Sequence, residues 1–327
     1  VIEMNILVTG GCGFIGANYI RYLETRGFDG RVINLDKLGI GSNIENLRDL
    51  KLNYVFRKVD LAREKIPEDL EFDAIVNFAS ETHVDRSIKE PAEFYRNNLD
   101  ELFNILEYMR KSNREIRMVH ISTDEVYGEI LEGSFTEESP LKPSNPYSAT
   151  KAGQDMLVLA YVRTYGLNIS ITRSANNYGP YQFPEKFIPK TIIRALNDLD
   201  IIVYGSGKQI RSWIYVRDNA DAVHTVLLKG KKGTIYNIPG TDEVENIEIV
   251  ERIGKILGRE LKIAHVQDRP GHDLRYSMSG DKLKELGWKA ASGIDAGLEQ
   301  TVKWYVENAW WWKPLVNEKV LGVGFAH

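Results

Sequence analysis

Apolar positions along the chain follow two different periods. Short continuous apolar runs recur at Asn5 to Thr9 (NILVT), Arg31 to Leu35 (RVINL), Tyr54 to Val59, Ala74 to Phe78 (AIVNF), Arg117 to Ser122 and Asn168 to Arg173 (NISITR). A run of that length that is apolar throughout suits a strand covered on both faces. Between the runs the spacing becomes helical. Ile15, Tyr19, Ile20 and Leu23 fall on one stripe, Tyr147 to Tyr165 forms a further helix, and Pro91 to Ser112 carries Phe94, Leu99, Leu102, Phe103, Leu106 and Met109. Proline in a first turn is where a helix tolerates it. Strands alternating with helices predict an α/β fold built on a parallel, doubly wound sheet. The stripe of the 91–112 helix is wide enough to cover that sheet and also meet a partner helix.

Beyond Arg173 the pattern loosens. Residues 129–146 carry three prolines and read as a surface loop, and Ser174 to Pro189 (SANNYGPYQFPEKFIP) suits a loop that clasps a ligand. Shorter elements follow at Ile201 to Tyr204, Arg211 to Tyr215, Val216 to Lys229, Ile235 to Asn237, Asn246 to Leu257 and Gly297 to Asn308. The expected division is a dinucleotide-binding domain over 1–173 with a returning segment near 208–230. A smaller C-terminal α/β lobe over 174–207 and 231–327 would cap the carboxyl edge of the sheet and bind substrate.

Composition narrows the class. Of 327 residues, 43% are hydrophobic and 27% charged, and 42 basic against 46 acidic side chains leave a net charge of −4. That balance fits a soluble globular protein and argues against nucleic acid as a partner. Cys12 is the single cysteine, which fits a reducing cytoplasm. No run is long enough to span a membrane, and the start, VIEMNILVTG, enters a strand without a signal-peptide pattern. The six histidines are scattered and no HExxH occurs, so no metal site is expected. Trp310 to Trp312 read as packing against the protein's own core or a partner.

The first run ends in Gly10-Gly11-Cys12-Gly13-Phe14-Ile15-Gly16 and a helix begins at once. Strand, glycine-rich turn and helix form a Rossmann-type dinucleotide cradle. Gly10 allows the tight turn, Gly13 lets backbone approach a pyrophosphate, and Gly16 lets the helix pack closely. Asp36, twenty residues beyond Gly16, can accept from the adenosine ribose hydroxyls and repels a 2′-phosphate, which favours NAD over NADP. Thr123, Asp124 and Glu125 end the fifth strand, where open α/β sheets bind ligands. Tyr147 and Lys151 lie one helical turn apart. A lysine ammonium about 4 Å from the phenol would lower its pKa by up to ~3 units, towards what a general base needs. Two adjacent acids can hold different protonation states, as a water elimination requires.

The glycine cradle with YxxxK resembles the extended short-chain dehydrogenase/reductase family. TGGCGFIG, NFASETHVDRSI, ISTDEVYG, PYSATKA, NNYGPYQFPEKFIP, IRSWIYV, DRPGHDLRY and WWWKPL narrow the resemblance to the dTDP-glucose 4,6-dehydratases over nearly the whole chain. That resemblance implies an internal redox cycle on a nucleotide sugar. Tyr147 would deprotonate the carbon-4 hydroxyl with help from Thr123 and Lys151, Glu125 would remove the carbon-5 proton, and Asp124 would protonate the departing carbon-6 hydroxyl. It further implies NAD contacts from Phe14, Ile15, Asp36, Asp60, Leu61, Phe78, Ala79, Ser80, Thr82, Asn97, Tyr147, Lys151 and Asn177. Substrate contacts would come from Thr82, Thr123, Asn176, Lys186, Phe187, Arg211, Asn246, Arg269 and His272, with Tyr204 and Tyr276 as further candidates. The arginines suit a diphosphate. A homodimer is the expected assembly. Asn97, Glu101, Ser212 and Cys12 depart from the residues more usual there (threonine, glycine, aspartate and alanine). A nucleotide-sugar 4-epimerase, a UDP-glucose dehydratase and a non-catalytic NAD-binding regulator are the competing readings.

Overall fold

A computed structural model describes residues 4–268 and 273–322. Its first six strands are β1 (Ile6–Thr9), β2 (Val32–Asp36), β3 (Tyr54–Lys58), β4 (Ala74–Asn77), β5 (Arg117–Thr123) and β6 (Asn168–Ser174). The early helices are α1 (Phe14–Thr25), α2 (Val84–Lys89), α3 (Pro91–Lys111) and α4 (Pro146–Tyr165). The expected runs therefore form strands with ends shifted by a residue or so. Further strands are β7 (Asn176–Tyr178), β8 (Ile201–Tyr204), β9 (Ile210–Tyr215), β10 (Ile235–Ile238), β11 (Asp242–Glu245) and β12 (Ile263–Val266). They alternate with α5 (Phe187–Leu196), α6 (Val216–Lys229), α7 (Asn246–Leu257), α8 (Asp281–Glu285) and α9 (Ile294–Glu307).

The large sheet has seven strands in the order β10-β6-β5-β4-β1-β2-β3. Every neighbouring pair in it is parallel. Parallel strands need crossovers, so both faces are covered, and all four residues of β1 are buried. The chain winds outward from β1 through β2 and β3, then returns to start again at β4. Strand order thus reverses between β1 and β4, and the carboxyl ends there diverge into an open crevice. Ile235–Ile238 does not belong wholly to the C-terminal lobe as its place in the sequence suggested. It pairs with β6 as the seventh strand, with Ile235 opposite Ile171 and Ile238 opposite Ser174.

The remaining strands are small. β7, β9 and β11 make one sheet, and β8 pairs with β12. Their core is a separate apolar cluster in which Ile188, Ile192, Trp213, Ile249, Leu298 and Tyr305 pack with Trp311 and Trp312. Trp311 and Trp312 therefore pack on the protein's own core, whereas Trp310 is 46% exposed and lies under the Arg48 guanidinium. Trp311 Nε1 also donates to Asn46 Oδ1 at 2.8 Å, which ties that end of the chain to the region after β2. Among the described residues no helix is long and apolar enough to cross a membrane.

Beneath the crevice lies a buried charge pair that the apolar pattern does not announce. Arg173 on β6 donates from Nε to Asp155 Oδ2 on α4 at 2.8 Å, and its Nη1 donates to Tyr127 Oη at 2.8 Å. Both partners of the ion pair are almost fully enclosed. Removing one side of such a pair leaves the other as an uncompensated buried charge. Arg173→Met should therefore cost about 3–5 kcal/mol in urea unfolding. Arg110→Met, which breaks a partly exposed pair with Glu107, should move the midpoint far less.

Candidate functional site

One continuous cleft runs along the carboxyl edge of the sheet, and its walls hold both the glycine turn and the Tyr147–Lys151 pair. At the end nearest β1, Gly10 has φ +67°, and a Cβ there would stand 2.7 Å from the Ala79 backbone. A Cβ on Gly16 would stand 2.5 Å from the Gly10 carbonyl oxygen. Gly16 is thus required so that α1 can close on its own turn, rather than on the strand. Gly13 caps α1 with no side-chain acceptor in the way, so the first amides of the helix are left for an anion. Asp36, at the end of β2, accepts from Cys12 N at 2.9 Å and Leu38 N at 2.7 Å. Burial raises its pKa and those two amides draw it back. Cys12 is fully buried, and burial together with the charge of Asp36 pushes its thiol up to about 12, so it is a packing residue.

Phe14, Ile15, Asp60, Leu61, Phe78, Ala79, Ser80, Thr82, Asn97 and Asn177 line the same cleft, as the resemblance implied. A glycine turn with no room for Cβ, open helix amides and a strand-end carboxylate fit a dinucleotide diphosphate with free ribose hydroxyls.

The acid centre is built by local chain geometry. β5 ends at Thr123, whose hydroxyl accepts from Glu125 N at 3.3 Å and donates to Asp124 Oδ1 at 3.1 Å. That bond closes residues 124–126 into one tight turn. Tyr127 anchors the turn from below by donating to Asn237 Oδ1 at 2.7 Å. Asp124 is 3% exposed. Burial, reinforced by the neighbouring charge of Glu125, lifts its pKa to about 7. Glu125 is less enclosed. Burial raises it too, but Arg211, the Asn145 side chain and Lys186 pull it back. Burial thus raises both carboxyls, and the cations beside Glu125 oppose that rise.

α4 delivers the other half. Asn145 caps it with a reciprocal bond pair to Ser148, and Pro146 opens its first turn. Tyr147 is therefore fixed at the start of the helix, its N–H donating to Ser87 Oγ at 3.1 Å. Lys151, one turn on, donates from Nζ to the Ile121 carbonyl at 2.7 Å. The expectation that Lys151 lowers the Tyr147 phenol is not met by this arrangement. Burial raises the phenol, Glu125 and Asp124 push it the same way, and only the Thr123 hydroxyl opposes them. The sequence spacing shows how near the lysine can come, but not that its ammonium is committed to the strand carbonyl.

Asn176 and Lys186 also line the cleft, and Lys186 Nζ donates to Thr82 O at 3.4 Å across it. Arg211 and Tyr276 stand together outside the lining, with the guanidinium 4.6 Å from the ring centre. Arg211 acts on Glu125 by charge, and the charge of Glu125 in turn helps to hold the Tyr276 phenol up. Phe187 stacks on Trp213, Tyr204 sits in β8, and Asn246 opens α7 with its N–H on Gln209 O. These three do not reach the cleft wall. Arg269 and His272 lie outside the described residues. Among the described residues no cluster of His, Cys, Asp or Glu could hold a metal.

Sequence reasoning missed the charged rim. Lys37 Nζ meets Glu81 Oε1 at 2.8 Å, Arg86 meets Glu81 Oε2 at 3.1 Å, and His83 Nε2 meets Glu185 Oε2 at 3.3 Å. It also missed Asn145 as a partner of Glu125. The SNP triplet ahead of the helix was the available signal, since a capping asparagine faces the space in front of the first turn.

The raised Asp124 has a measurable consequence. An unfolded aspartate titrates near ~3.9, so from there up to about 7 the folded state holds the extra proton and stability falls as pH rises. Asp124→Asn removes that slope. It should stabilise the protein by on the order of 2–4 kcal/mol at about pH 8 and by little at about pH 4, as read by chemical unfolding at both values.

Residues 7–301 match the profile of the GDP-mannose 4,6 dehydratase family. A dTDP-glucose 4,6-dehydratase of Streptomyces niveus is 45% identical, covering 95% of this chain and 96% of that one. One from Xanthomonas campestris pv. campestris is 44% identical over 93% and 94%. Among solved structures, the dTDP-glucose 4,6-dehydratase of Streptomyces venezuelae with NAD and TYD bound superposes with a TM-score of 0.90 at 42% identity, covering 96% of this chain and all of that one. With an acid pair on the turn after β5, a tyrosine–lysine turn on α4 and a glycine cradle after β1 in one cleft, the chain belongs to the dTDP-glucose 4,6-dehydratase family.

Proposed function

We propose that the protein binds NAD along the cleft and converts dTDP-glucose to its 4-keto-6-deoxy derivative by eliminating water. The observation that carries this reading is the buried Asp124 beside Glu125, in the same cleft as Tyr147 and Lys151. An epimerase only oxidises and re-reduces one carbon and gives two extra carboxyls no task. A regulator that merely binds a dinucleotide needs neither the acids nor the tyrosine.

When bound, NAD would supply a positively charged ring and the redox chemistry, taking a hydride from carbon 4 and returning it to carbon 6 once water has left. Phe14, Ile15 and the open amides of α1 would hold its diphosphate, Asp36 would accept from the adenosine ribose, and Lys151 would serve the nicotinamide end. Tyr147 takes the proton of the carbon-4 hydroxyl, which Thr123 orients. Because burial and two carboxyls hold the phenol high, cationic charge nearby is what releases its proton. Glu125, kept more acidic by Arg211 and Lys186, then removes the carbon-5 proton that the new ketone has acidified. Asp124 retains its proton up to about 7 and gives it to the departing carbon-6 hydroxyl. Arg211 and Arg269 suit the substrate diphosphate. The fully buried, free Cys12 is in keeping with a cytoplasmic setting.

The partner surface we assign to a second copy of the chain lies on α3 and α4. Phe94, Leu102, Leu106 and Met109 of α3 are buried against the sheet, whereas Tyr95 is 60% and Phe103 47% exposed. Tyr95, Leu99 and Phe103 follow at intervals of four, which makes an outward apolar stripe, and Met156 of the adjoining α4 is exposed as well. Two such helix pairs would form a four-helix contact between protomers.

Three experiments test these assignments. Incubation with dTDP-glucose should yield a 4-keto product that absorbs in alkali. Formation of dTDP-galactose would favour an epimerase, faster turnover of UDP-glucose the uridine enzyme, and no turnover the regulator. Glu125→Gln should lower dehydration by roughly 10²–10⁴-fold while reduced nicotinamide still accumulates, whereas Tyr147→Phe should accumulate none. Phe103→Asp combined with Met156→Asp should sediment at the 37.3 kDa mass of one chain, and the parent at twice that.

A further inference from the structure

Glu101 on α3 has no part in the chemistry above, yet it stands against the redox centre. Its side chain is 5% exposed, and neither carboxylate oxygen has a close hydrogen-bond partner, the Asn77 amide offering only a weak one. An ionisable group left so is expensive unless a charge nearby compensates it. The groups that face it come from four elements. They are Lys151 on α4, Lys37 after β2, the Asn77 side chain on β4 and, repelling it, Asp60 after β3. Lys37 is already held by Glu81 at the rim.

Lys151 has the complementary need. Its Nζ carries three N–H groups, and the described bond is the one to the Ile121 carbonyl. The carboxylates that act on it are Asp155 from its own helix and Glu101 from α3. Asp155 is shared with Arg173, which holds its Oδ2 at 2.8 Å. His120, which faces Lys151 from β5, is fully buried and held neutral by burial and by the lysine itself, so it offers no opposing charge. Glu101 is the facing carboxyl that no arginine holds.

We propose that Glu101 is a positioning residue for the redox centre, the buried counter-charge that keeps the Lys151 side chain an ammonium. It acts through the cavity wall by charge rather than by a hydrogen bond. This rests on Tyr147 and Lys151 being the proton-transfer pair. Burial raises the carboxyl and lowers the lysine, while each draws the other towards its charged form.

The test is the titration of Lys151 in the NAD-bound protein, read by competitive acetylation with acetic anhydride and peptide mass across pH. Glu101→Gln, which keeps the shape and removes the charge, should move the midpoint down by about one unit or more. The alkaline limb of single-turnover nicotinamide reduction should move down with it, so that near the parent midpoint the rate falls by up to ~10-fold. Glu101→Asp, with the charge on a shorter arm, should return both most of the way. An unmoved acetylation midpoint in the Gln variant, or an Asp variant that titrates like Gln, overturns the proposal. A midpoint that moves while the kinetics do not would instead overturn the reading of Lys151 as part of the redox centre, because acetylation does not depend on turnover.

Discussion

The bond from Lys151 Nζ to the Ile121 carbonyl, 2.7 Å long, is the contact on which the site depends. It joins α4 to the last turn-facing stretch of β5. Tyr147 therefore arrives over the Thr123–Glu125 turn from a helix that cannot slide along the strand. β5 belongs to the large sheet and α4 to its covering, so their relation is set by the core rather than by a loop. A constellation that must hold several groups within fractions of an ångström benefits from that origin.

The same bond explains why so much polarity is buried below the crevice. An ammonium brought under the sheet edge needs acceptors and opposite charge. The interior supplies them as a chain: Asn77 with His120, Asp155 with Arg173, Arg173 with Tyr127, and Tyr127 with Asn237. β4, β5, β6 and β10 all contribute to it. The seventh strand is thus more than an added edge, because Asn237 fixes Tyr127 and Tyr127 fixes the acid turn. Polar networks of this kind specify one arrangement when their members are satisfied. The groups left over, such as Asp124 Oδ2 and both oxygens of Glu101, stand beside the reaction centre.

Much of this was legible along the chain because its causes are local. The glycine turn, Asp36, the Thr-Asp-Glu triplet and the tyrosine–lysine turn each sit at a strand end or helix start that apolar periodicity marks. All of them line one cleft. What was hidden depends on distant partners. Four residues of β10 carry no local sign that they join the large sheet. The six-residue α2, capped by His83, is too short for periodicity to reveal. Arg173 looks like the last residue of a strand until Asp155 is placed beneath it. The direction of the Tyr147 shift was misjudged for the same reason: spacing shows that a lysine is in reach, not where its ammonium is held.

The near-contact of Gly10 with the backbone of Ala79 has a wider consequence. Through that touch the glycine turn at one end of the cleft packs directly on the 78–82 segment that forms part of its wall. Grafting a foreign dinucleotide cradle onto this scaffold would therefore mean transplanting the neighbouring wall with it.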